Sequence, residues 1–404
     1  MLKIKLRSGE QKLTNQPILH NIRILDFSWV LAGPYATRIL ADFGAEVIKV
    51  QPLLPEAEDR FAQGYYNTWN RNKLGITLNL NKPQGVEIAR RLVGISDAVV
   101  ENFTPRVMAN WGLDYPNLKK IKPEIIMLSL STMGQTGPWR DYAGFGQTIQ
   151  AFSGITYLTS FPGKPPLGLG TSYADHIAGL VATLALLSAL EYRQRTGEGQ
   201  YIDVSGVEAM SSLLGDAIVD YTLNGRQVEP MSNSSTRAAP HGVYCCQGDD
   251  RWCAIAVFSD KEWQGFKRAL GNPQWCEDEK FVTLSGRLEN SNELDRLVET
   301  WTREHTAEEV MAKLQEQGVA AGTVKDASDL ASDPQLNGRG FFVELEHPEL
   351  GKTMSDATPI RLSETPAKYN RAAPVRGQDN DYVYCRLLGM SQNELAELRG
   401  QGII

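Results

Sequence analysis

The sequence predicts an α/β fold in which a mostly parallel sheet is covered by helices on both faces. Short apolar runs alternate with segments of helical periodicity through the first half of the chain, and several of these runs are apolar throughout rather than at every second residue. Strands that are buried on both faces have this pattern, and a helix between successive strands makes the strands parallel.

The first half of the chain contains the elements of this sheet. Pro34 suits the first turn of the first helix, and Gly44 marks the turn into the second strand. The strands are predicted at 22–27, 46–50, 98–100, 125–130 and 201–205, and the helices at 34–42, 85–95 and about 175–195.

A stretch without hydrophobic periodicity, 224–242, is rich in turn-forming residues and predicts a domain boundary. The second half continues with a mixture of strands and amphipathic helices. The strands are predicted at 253–258 and 341–345, and the helices around 261–270, 293–302, 307–317 and 392–399.

The composition is that of a globular protein with more than one domain. The chain has 404 residues, of which 42% are hydrophobic and 22% are charged, and its formal net charge is −7. A length of roughly 100–200 residues per domain implies at least two domains. The acidic balance argues against a nucleic-acid partner, because binding to phosphates needs a basic face.

Compartment and metal content follow from a few absences in the sequence. The N-terminus lacks the apolar run of a secretory signal, and the longest apolar stretch, 177–190, is shorter than the roughly 20 residues that span a bilayer. We therefore expect a buried core helix there and no membrane partner. The five cysteines form no CxxC pair, which favours reduced thiols in the cytoplasm, and the histidines lack metal-ligand spacing, so no metal is expected.

Dinucleotide or ATP binding has little support. A Rossmann fingerprint requires GxGxxG directly after the first strand, whereas here that strand is followed by SWVLAGPYATR, which has a single glycine. The pair Gly168 and Gly170 lies far downstream and lacks the third glycine, and no Walker sequence is present.

Asp175 is the first candidate for chemistry. An aspartate that opens a long apolar helix is most simply an N-cap, whose carboxylate accepts backbone N–H bonds. However, the glycine-rich loop before it would let a ligand approach the backbone closely. A carboxylate at a helix N-terminus also stays ionised, because the helix dipole lowers its pKa, and this would suit a nucleophile.

Basic residues beside the early strands form a second group of candidates. Each alone is most simply a solvated surface residue, but the ends of strands in an α/β sheet are where phosphorylated ligands bind. Lys73 could contact a phosphate, Asn102 an amide or phosphate, and Phe103 an adenine ring. The basic group consists of Arg38, Lys49, Arg60, Arg71, Lys73, Arg106 and Arg140.

Several motifs in a fixed order point to one family. They are LDFSWVLAGPYATRILADFGAEVIKVQP, NRNKLGITLNL, DAVVENFTP, LSTMGQTGP, TSYADHIAGL, TGEGQYIDVS and NPQW. With these stretches the chain resembles the family III coenzyme A transferases, a group that includes formyl-CoA, carnitine and benzylsuccinate CoA-transferases and the related α-methylacyl-CoA racemases. The resemblance extends from about Leu19 to Ile404.

The resemblance implies a CoA-transferase whose nucleophile is Asp175. CoA would be a substrate and product, with acyl-CoA and a carboxylic acid as partners and no permanently bound cofactor. The carboxylate would form an aspartyl mixed anhydride and then an aspartyl-CoA thioester, which divides one exchange into easier steps. Backbone donors for the developing oxyanion could come from the turns around Gly170 or at His241 and Gly242.

The resemblance also implies contacts for CoA. These carry over to Val30, Ala32, Asn72, Lys73, Asn102 and Phe103. Two positions depart from the family pattern, since Pro52 and Asn110 stand where relatives have arginine. The phosphate contacts could instead come from Arg106 or Arg38.

Two other reactions of the family are less favoured. Racemases have a His-Asp pair after a glycine, because moving an α-proton requires a second acid/base, and this chain has Phe145 there. His176, beside Asp175, is more simply a hydrogen-bonded interior or interface histidine. The formyl/oxalate branch carries a run of glycines that 234–244 lacks. A larger acyl group, dicarboxylic or aromatic, is therefore expected, with Trp29, Gln147 and His241 in the pocket, although Trp29 could equally be a core residue.

A non-catalytic CoA-binding subunit is the alternative from a different class, because some transferases of the family pair two homologous chains. The retained Asp175 argues against it. For the architecture, the resemblance implies a doubly wound large domain built from 1–225 and 336–404, a smaller α+β domain at 226–335, and an interlocked dimer. A homodimer is expected, and a heteromer with a homologous subunit is an alternative.

Overall fold

The computed structural model describes residues 16–53 and 60–404 and divides into two compact units. The first consists of the chain up to Thr156 together with Gly168–Gln227 and Gly338–Ile404, and the second of Tyr157–Leu167 and Val228–Asn337. The second unit thus also contains Tyr157–Leu167, a segment outside the sequence-based boundaries of 226 and 335. Most of the N-terminal segment that was considered for a secretory signal lies outside the described residues.

Eleven strands form three sheets in the described part of the chain. In chain order they are β1 (Arg23–Asp26), β2 (Glu46–Gln51), β3 (Leu74–Thr77), β4 (Ala98–Glu101), β5 (Ile126–Ser131), β6 (Tyr201–Ser205), β7 (His241–Cys245), β8 (Trp252–Ala256), β9 (Ala320–Thr323), β10 (Phe342–His347) and β11 (Gly351–Asp356).

The helices range from single turns to the 24 residues of α8. In chain order they are α1 (Ala32–Asp42), α2 (Arg60–Trp69), α3 (Pro83–Gly94), α4 (Arg106–Asn110), α5 (Tyr115–Ile121), α6 (Gly146–Phe152), α7 (Ile155–Leu158), α8 (Tyr173–Thr196), α9 (Gly206–Ser211), α10 (Gly215–Asn224), α11 (Asp260–Ala269), α12 (Glu279–Val282), α13 (Leu284–Glu289), α14 (Ser291–Thr302), α15 (Ala307–Glu316), α16 (Ala327–Ser332), α17 (Pro334–Gly338) and α18 (Gln392–Gly400). Short 3₁₀ turns lie at Ser212–Leu214 and Gln274–Glu277, and a π-helix at Asp381–Leu387.

The first unit is built on a six-stranded sheet of order β3-β2-β1-β4-β5-β6, in which every pairing is parallel. This is the doubly wound order, and its direction reverses between β1 and β4. Leu25 of β1 lies beside Ile48 of β2 and Val99 of β4. The predicted α/β class with a parallel sheet is therefore confirmed.

Hydrophobic cores cover both faces of this sheet. On one face, α1 and α8 pack against the strands through small residues such as Ala36, Ala178 and Ala182. On the other, α3, α5, the π-helix and α18 bury Leu92 and Tyr384. The C-terminal residues return to the sheet here, because the hydroxyl of Tyr384 donates to the carbonyl of Thr77 (2.6 Å).

Helix α8 is long and apolar enough to cross a membrane by length and composition alone. The stretch 177–190, judged too short on its own, lies within this longer helix. Its residues Ala174, Ala178, Ala182, Leu186 and Ala189 are buried in the core of the first unit. Burial of one side of a helix against a sheet is typical of globular proteins. In α8 the opposite, exposed side is also apolar.

The second unit is smaller and contains an antiparallel sheet of order β7-β8-β9. Helices α11, α14 and α15 pack against it around a core that includes Trp263, Phe266, Phe281 and Val310. Several of its helices begin with capping boxes, such as Ser259 with Glu262 and Thr306 with Glu309, which satisfy the first backbone N–H groups.

Candidate active site

The carboxyl ends of β1 and β4 lie side by side, where the order of the sheet reverses. Trp29 and Val30 follow β1, and Asn102 and Phe103 follow β4. The side-chain amide of Asn102 accepts a hydrogen bond from the N–H of Trp29 (2.7 Å) and donates one to its C=O (2.8 Å). Open α/β sheets bind ligands at such switch points.

Two aromatic rings accompany this turn. The ring of Phe103 makes edge contacts with the rings of Trp29 (centroids 6.0 Å apart) and Trp111 (5.7 Å). Trp29 is partly exposed, so it is not a fully buried core residue. Val30 is exposed, and Ala32 is the buried first residue of α1. Of the predicted CoA contacts, Val30, Ala32, Asn102 and Phe103 are brought together here with Trp29.

Beneath the turn, the carboxylate of Asp26 accepts five hydrogen bonds. It receives the N–H (2.8 Å) and hydroxyl (2.5 Å) of Ser28, the hydroxyl of Thr37 (2.6 Å), and the ammonium groups of Lys49 (3.2 Å) and Lys73 (3.0 Å). Burial alone would raise the pKa of Asp26, but Lys49, Lys73 and the hydrogen bonds outweigh it, so this pKa lies well below its usual range.

Asp175 lies in the first turn of α8, but it does not cap the helix. The helix begins at Tyr173, so Asp175 is its third residue, and the N-cap position belongs to Ser172. The N-cap interpretation is therefore wrong. Among the described residues, none donates a hydrogen bond to the Asp175 carboxylate or forms an ion pair with it.

The Asp175 carboxylate lies against the backbone of α6. A Cβ placed on Gly146 would come closer than 3.0 Å to Oδ2 and within 3.4 Å of Cγ of Asp175. Burial raises the pKa of this carboxyl group to about 6, and His176 opposes the shift. The prediction that the helix dipole would lower this pKa is wrong, because desolvation is the larger effect. The group is still largely ionised at neutral pH.

The glycine-rich loop before Asp175 is held by two glutamines of α6. The buried side chain of Gln150 accepts from the N–H of Leu169 (3.2 Å) and donates to the C=O of Thr171 (2.9 Å). Gln147, a predicted pocket residue, is exposed and donates to the C=O of Leu169 (3.1 Å). Gln147 thus lies beside the loop that leads to Asp175.

His176 is held in an aromatic surrounding. Its Nδ1 lies 2.8 Å from the C=O of Ser172, and its ring makes edge contacts with Tyr35 (5.0 Å) and Trp69 (5.1 Å). Because Nδ1–H donates to a carbonyl, the tautomer is fixed. His176 is therefore a half-buried, hydrogen-bonded histidine.

Lys73 and Asn72 were predicted to contact CoA, and the structure corrects both assignments. The Lys73 ammonium is fully buried and donates to Asp26, to the C=O of Pro34 (3.0 Å) and to the side chain of Asn70 (2.9 Å). These three bonds use all three protons of the ammonium group. The side chain of Asn72 donates to the C=O of Lys368 (2.7 Å) and accepts backbone N–H groups of the C-terminal segment. Both residues hold the fold together.

The arginines divide into buried and exposed groups. Arg38, predicted as a phosphate contact, is buried in a bidentate pair with Asp356 (both 2.9 Å), and Arg71 is buried against Asp42 (2.6 Å). Arg38 is therefore a structural residue, which corrects its assignment. Arg106 has a side chain that is 75% exposed, with one weak ion pair. The side chain of Arg60 lies outside the described residues.

His241 begins β7 in the second unit. Its Nδ1 lies 2.6 Å from the C=O of Asn233, and its ring makes an edge contact with Phe258 (6.0 Å). Gly242 follows it within β7, where a Cβ would lie 3.1 Å from the ring of Tyr244. Gly170, the other candidate for an oxyanion-binding turn, is in the first unit between Leu169 and Thr171.

A cavity of about 330 Å³ lies elsewhere in the first unit and does not include Asp175. Its lining combines the buried carboxyl group of Glu101 with Ser129 and the stacked rings of Tyr115 and Tyr201. Burial raises the pKa of Glu101 to about 7. The cavity lies on the face of the sheet that buries Val99 and Met127, whereas α8 covers the other face.

Three residues of this site were not identified as such from the sequence. They are Asp26, Gly146 and Gln150, which support or contact the candidate groups. Asp26 directly ends the first strand, which is a usable signal in an α/β sheet, whereas Gly146 and Gln150 carried none. Lys49 was among the basic candidates for a ligand contact, but it is buried and pairs with Asp26. No cluster of three or more potential metal ligands occurs within residues 16–53 and 60–404.

The fold is a doubly wound α/β sheet with a carboxylate in the first turn of α8 that accepts no hydrogen bond from the described residues. Comparison with known proteins gives the family. The sequence model of CoA-transferase family III matches residues 19–380. Succinyl-CoA–D-citramalate CoA-transferase from Chloroflexus aurantiacus is 36% identical over 96% of this chain and 98% of its own length. Succinate–glutarate CoA-transferase from Agrobacterium fabrum is 31% identical over 92% and 96%.

A solved structure agrees with these similarities. A CAIB/BAIF family protein from Brucella suis superimposes with a TM-score of 0.84 at 31% identity, over 92% of this chain and all of that one. The chain therefore belongs to CoA-transferase family III and is a CoA-transferase of that family.

Proposed function

We propose that this protein transfers CoA from a dicarboxylyl-CoA to a second dicarboxylic acid through covalent intermediates on Asp175. One observation carries the proposal: a half-buried carboxylate, with a pKa raised to about 6, that accepts no hydrogen bond from the described residues and packs on glycine. Such a group is ionised at neutral pH, yet it is poorly solvated, and a poorly solvated anion is a better nucleophile.

The exchange consists of four attacks. An oxygen of Asp175 attacks the thioester carbonyl, the C–S bond breaks, and CoA thiolate leaves a mixed anhydride. The thiolate attacks the aspartyl carbonyl, which releases the donor acid and leaves an aspartyl-CoA thioester. The acceptor carboxylate attacks that thioester and forms a second anhydride with release of the thiolate. The thiolate finally attacks the acceptor acyl carbon, which restores the Asp175 carboxylate.

Relatives support a dicarboxylic substrate class. The proteins named above use succinyl-CoA with D-citramalate and succinate with glutarate, and both similarities extend over nearly the whole chain. The sequence also favours an acyl group larger than oxalate. The acyl group would lie near Gln147 and Trp29, and the CoA chain near Val30, Ala32 and Phe103, with the exposed guanidinium of Arg106 available for a phosphate.

Racemisation is not favoured at this site. It would need a second acid/base at the α-carbon. Phe145, which stands where racemases have a His-Asp pair, has no proton to give. The sequence position of Phe145 therefore supports transfer over racemisation.

Trapping of the acyl-enzyme tests the proposal. Incubation with succinyl-CoA followed by hydroxylamine should convert Asp175 to its hydroxamate, seen by peptide mass spectrometry. Asp175→Ala should abolish transfer while CoA binding changes by no more than about threefold. A panel of mono- and dicarboxylic acids with product mass readout then identifies the acceptor. If Asp175→Ala retains full activity, the mechanism is wrong. If CoA binds but Asp175 is never modified, the protein is a non-catalytic subunit.

We also propose that the active form is an interlocked dimer of two copies of this chain. The outer faces of α8 and α10 expose apolar side chains to an extent unusual for a monomer, namely Leu180, Val181, Leu184, Leu187, Ile218, Val219 and Leu223. A second copy covering these residues would also explain why α8 resembles a membrane span. Relatives similar to this chain include alpha and beta subunits of succinyl-CoA–L-malate CoA-transferase, so a heteromer is the alternative.

Native mass spectrometry of the purified chain distinguishes these states. A dimer of one chain, disrupted by Leu184→Glu, supports the proposal. A monomer that becomes active only with a homologous partner supports the heteromer.

We propose in addition that the protein works in a reducing compartment such as the cytoplasm. This rests on its five cysteines, which are free thiols.

A further inference from the structure

Val30 is a strained and exposed residue in the turn between β1 and α1. Its φ is +63°, in the left-handed region that β-branched residues rarely adopt. The residue is 55% exposed, so burial of its own side chain does not hold it there. A strained conformation persists only when neighbouring contacts fix it, and these contacts come from two sides.

The first support comes from below the turn. The Asp26 carboxylate accepts both the N–H and the hydroxyl of Ser28, and the Lys49 ammonium donates to the C=O of Ser28 as well as to Asp26. The N–H, the C=O and the side chain of Ser28 are therefore all held. Asp26 and Lys49 are both buried, so neither can contact a ligand above the turn.

The second support comes from β4. The amide of Asn102 holds both the N–H and the C=O of Trp29. Helix α1 packs against the two supports at Gly33, where a Cβ would come closer than 3.0 Å to the Cβ of Ser28 and within 3.4 Å of Cγ of Asn102. The backbone N–H and C=O groups of Ser28 and Trp29, the two residues before Val30, are thus all held.

We propose that Asp26, Lys49 and Asn102 are positioning residues that hold the turn at residues 29–30 in the conformation that receives the CoA chain of an acyl-CoA. The inference rests on the proposed function. Strained residues concentrate at ligand sites, and a turn fixed before binding avoids the entropy cost of ordering it afterwards. Asn102 acts through Trp29, and Lys49 acts through Ser28.

Binding of CoA to three single variants tests the inference. Calorimetry should show CoA binding weakened about tenfold by Lys49→Met and by Asn102→Ala, and steady-state kinetics should show the loss mainly in KM for acyl-CoA rather than in kcat. Asn380→Ala is the matched control. Its amide likewise accepts the N–H of Thr77 (2.9 Å) and donates to the Thr77 hydroxyl (2.8 Å), but on edge strand β3. It should lower the melting temperature without changing CoA affinity.

Two further variants distinguish a positioning role from a merely structural one. They are the double variant Lys49→Met/Asn102→Ala and the single variant Val30→Gly. Because Lys49 and Asn102 hold the same turn, the combined loss of affinity should be smaller than the product of the single losses. Glycine adopts a positive φ without strain, so Val30→Gly should keep or raise the melting temperature and yet weaken CoA binding. This variant keeps the test valid if Lys49→Met fails to fold.

The outcomes separate the two proposals. If the wild type binds no CoA, the proposed function fails, and this inference fails with it. If the wild type binds CoA and the folded variants Asn102→Ala and Val30→Gly bind it within twofold of wild type, the inference is overturned while the proposed function stands.

Discussion

Gly146 and Asp175 are in direct contact across two helices: the carboxylate of Asp175 occupies the place where a side chain of residue 146 would begin. Gly146 starts α6, and Asp175 is in the first turn of α8. The position of the proposed nucleophile therefore depends on the absence of a single methyl group on a neighbouring element.

Gly146→Ala should reduce kcat for CoA transfer by about 100-fold, because the added Cβ displaces the carboxylate and misplacement of a reacting group by about 1 Å has an effect of that size. CoA binding should change little. Gly215→Ala is the control, since a Cβ at that helical position meets nothing within 4 Å. Steady-state kinetics of both variants are the measurement, and equal activity of the two would contradict the contact.

The rate of transfer should depend on pH through Asp175. The nucleophile is the ionised form and the pKa is about 6, so kcat/KM should be level above pH 7 and fall tenfold per pH unit below about pH 6. Rates measured with succinyl-CoA from pH 4.5 to 8.5 would show this. A profile that stays level down to pH 5 would mean that another group is the nucleophile.

Asp175→Asn should stabilise the protein at neutral pH. Because burial raises the folded-state pKa above the unfolded value near 3.8, ionisation of Asp175 opposes folding. The loss of stability begins above the unfolded pKa and is complete above about pH 6. Urea unfolding at pH 8 should therefore favour the variant by about 1–2 kcal/mol, with no difference near pH 4.

Asp220, a carboxylate whose pKa is lowered rather than raised, provides the control for this measurement. Arg226 lowers the pKa of Asp220, so its ionised form favours folding. Asp220→Asn should change stability in the other direction, or not at all where solvent screens the pair. If both variants lower stability at pH 8, the raised pKa of Asp175 is wrong.

Gln150→Leu should loosen the loop that leads to Asp175. It removes the partners of the Leu169 N–H and the Thr171 C=O, which should lower the free energy of unfolding by about 2 kcal/mol. It should also reduce kcat about tenfold, since the loop positions the nucleophile. Gln315→Leu removes a single exposed glutamine bond to Ala321 and should leave kcat unchanged. An unaltered kcat in Gln150→Leu would separate the loop from catalysis.

Arg38 and Arg106 should behave differently when removed. Arg106→Ala should raise KM for acyl-CoA about fivefold at low salt, with a smaller effect at high salt, because an exposed phosphate contact is screened. Arg38→Met should instead lower the free energy of unfolding by about 2 kcal/mol or more, because it removes the bidentate partner of Asp356, which keeps only Arg71, and the donor to the carbonyl of Thr68. If Arg38→Met instead raises KM for acyl-CoA in a salt-dependent way, Arg38 contacts the ligand and its structural assignment is wrong.

The strands show how far the sequence can be interpreted. Those of the parallel sheet with uninterrupted apolar runs were predicted within one or two residues, because burial on both faces leaves a local signature. Strand β3 was missed because Gly75 interrupts its apolar run. The position of this glycine is explained by its close approach to Pro374, which the local sequence does not reveal.

The basic residues show the opposite limit. Lys73, Lys49 and Arg71 are followed by no carboxylate within four residues, and Arg38, which has Asp42 four residues on, pairs instead with Asp356. An exposed or ligand-binding role was therefore a reasonable interpretation. In the folded chain, their partners Asp26, Asp42 and Asp356 come from distant positions. Ion pairs between residues that are far apart in the chain leave no local pattern from which the sequence could predict them.

By itself, the sequence determined the α/β class, the order of the main strands and helices, and, through family motifs, Asp175 as the candidate nucleophile, because hydrophobic periodicity and local motifs are short-range properties. Only the tertiary structure decided that Asp175 sits inside the first turn rather than capping it, that Gly146 makes room for its carboxylate, and that Lys73 and Arg38 are buried supports. These facts depend on contacts between segments that meet only when the sheet and its helices are packed.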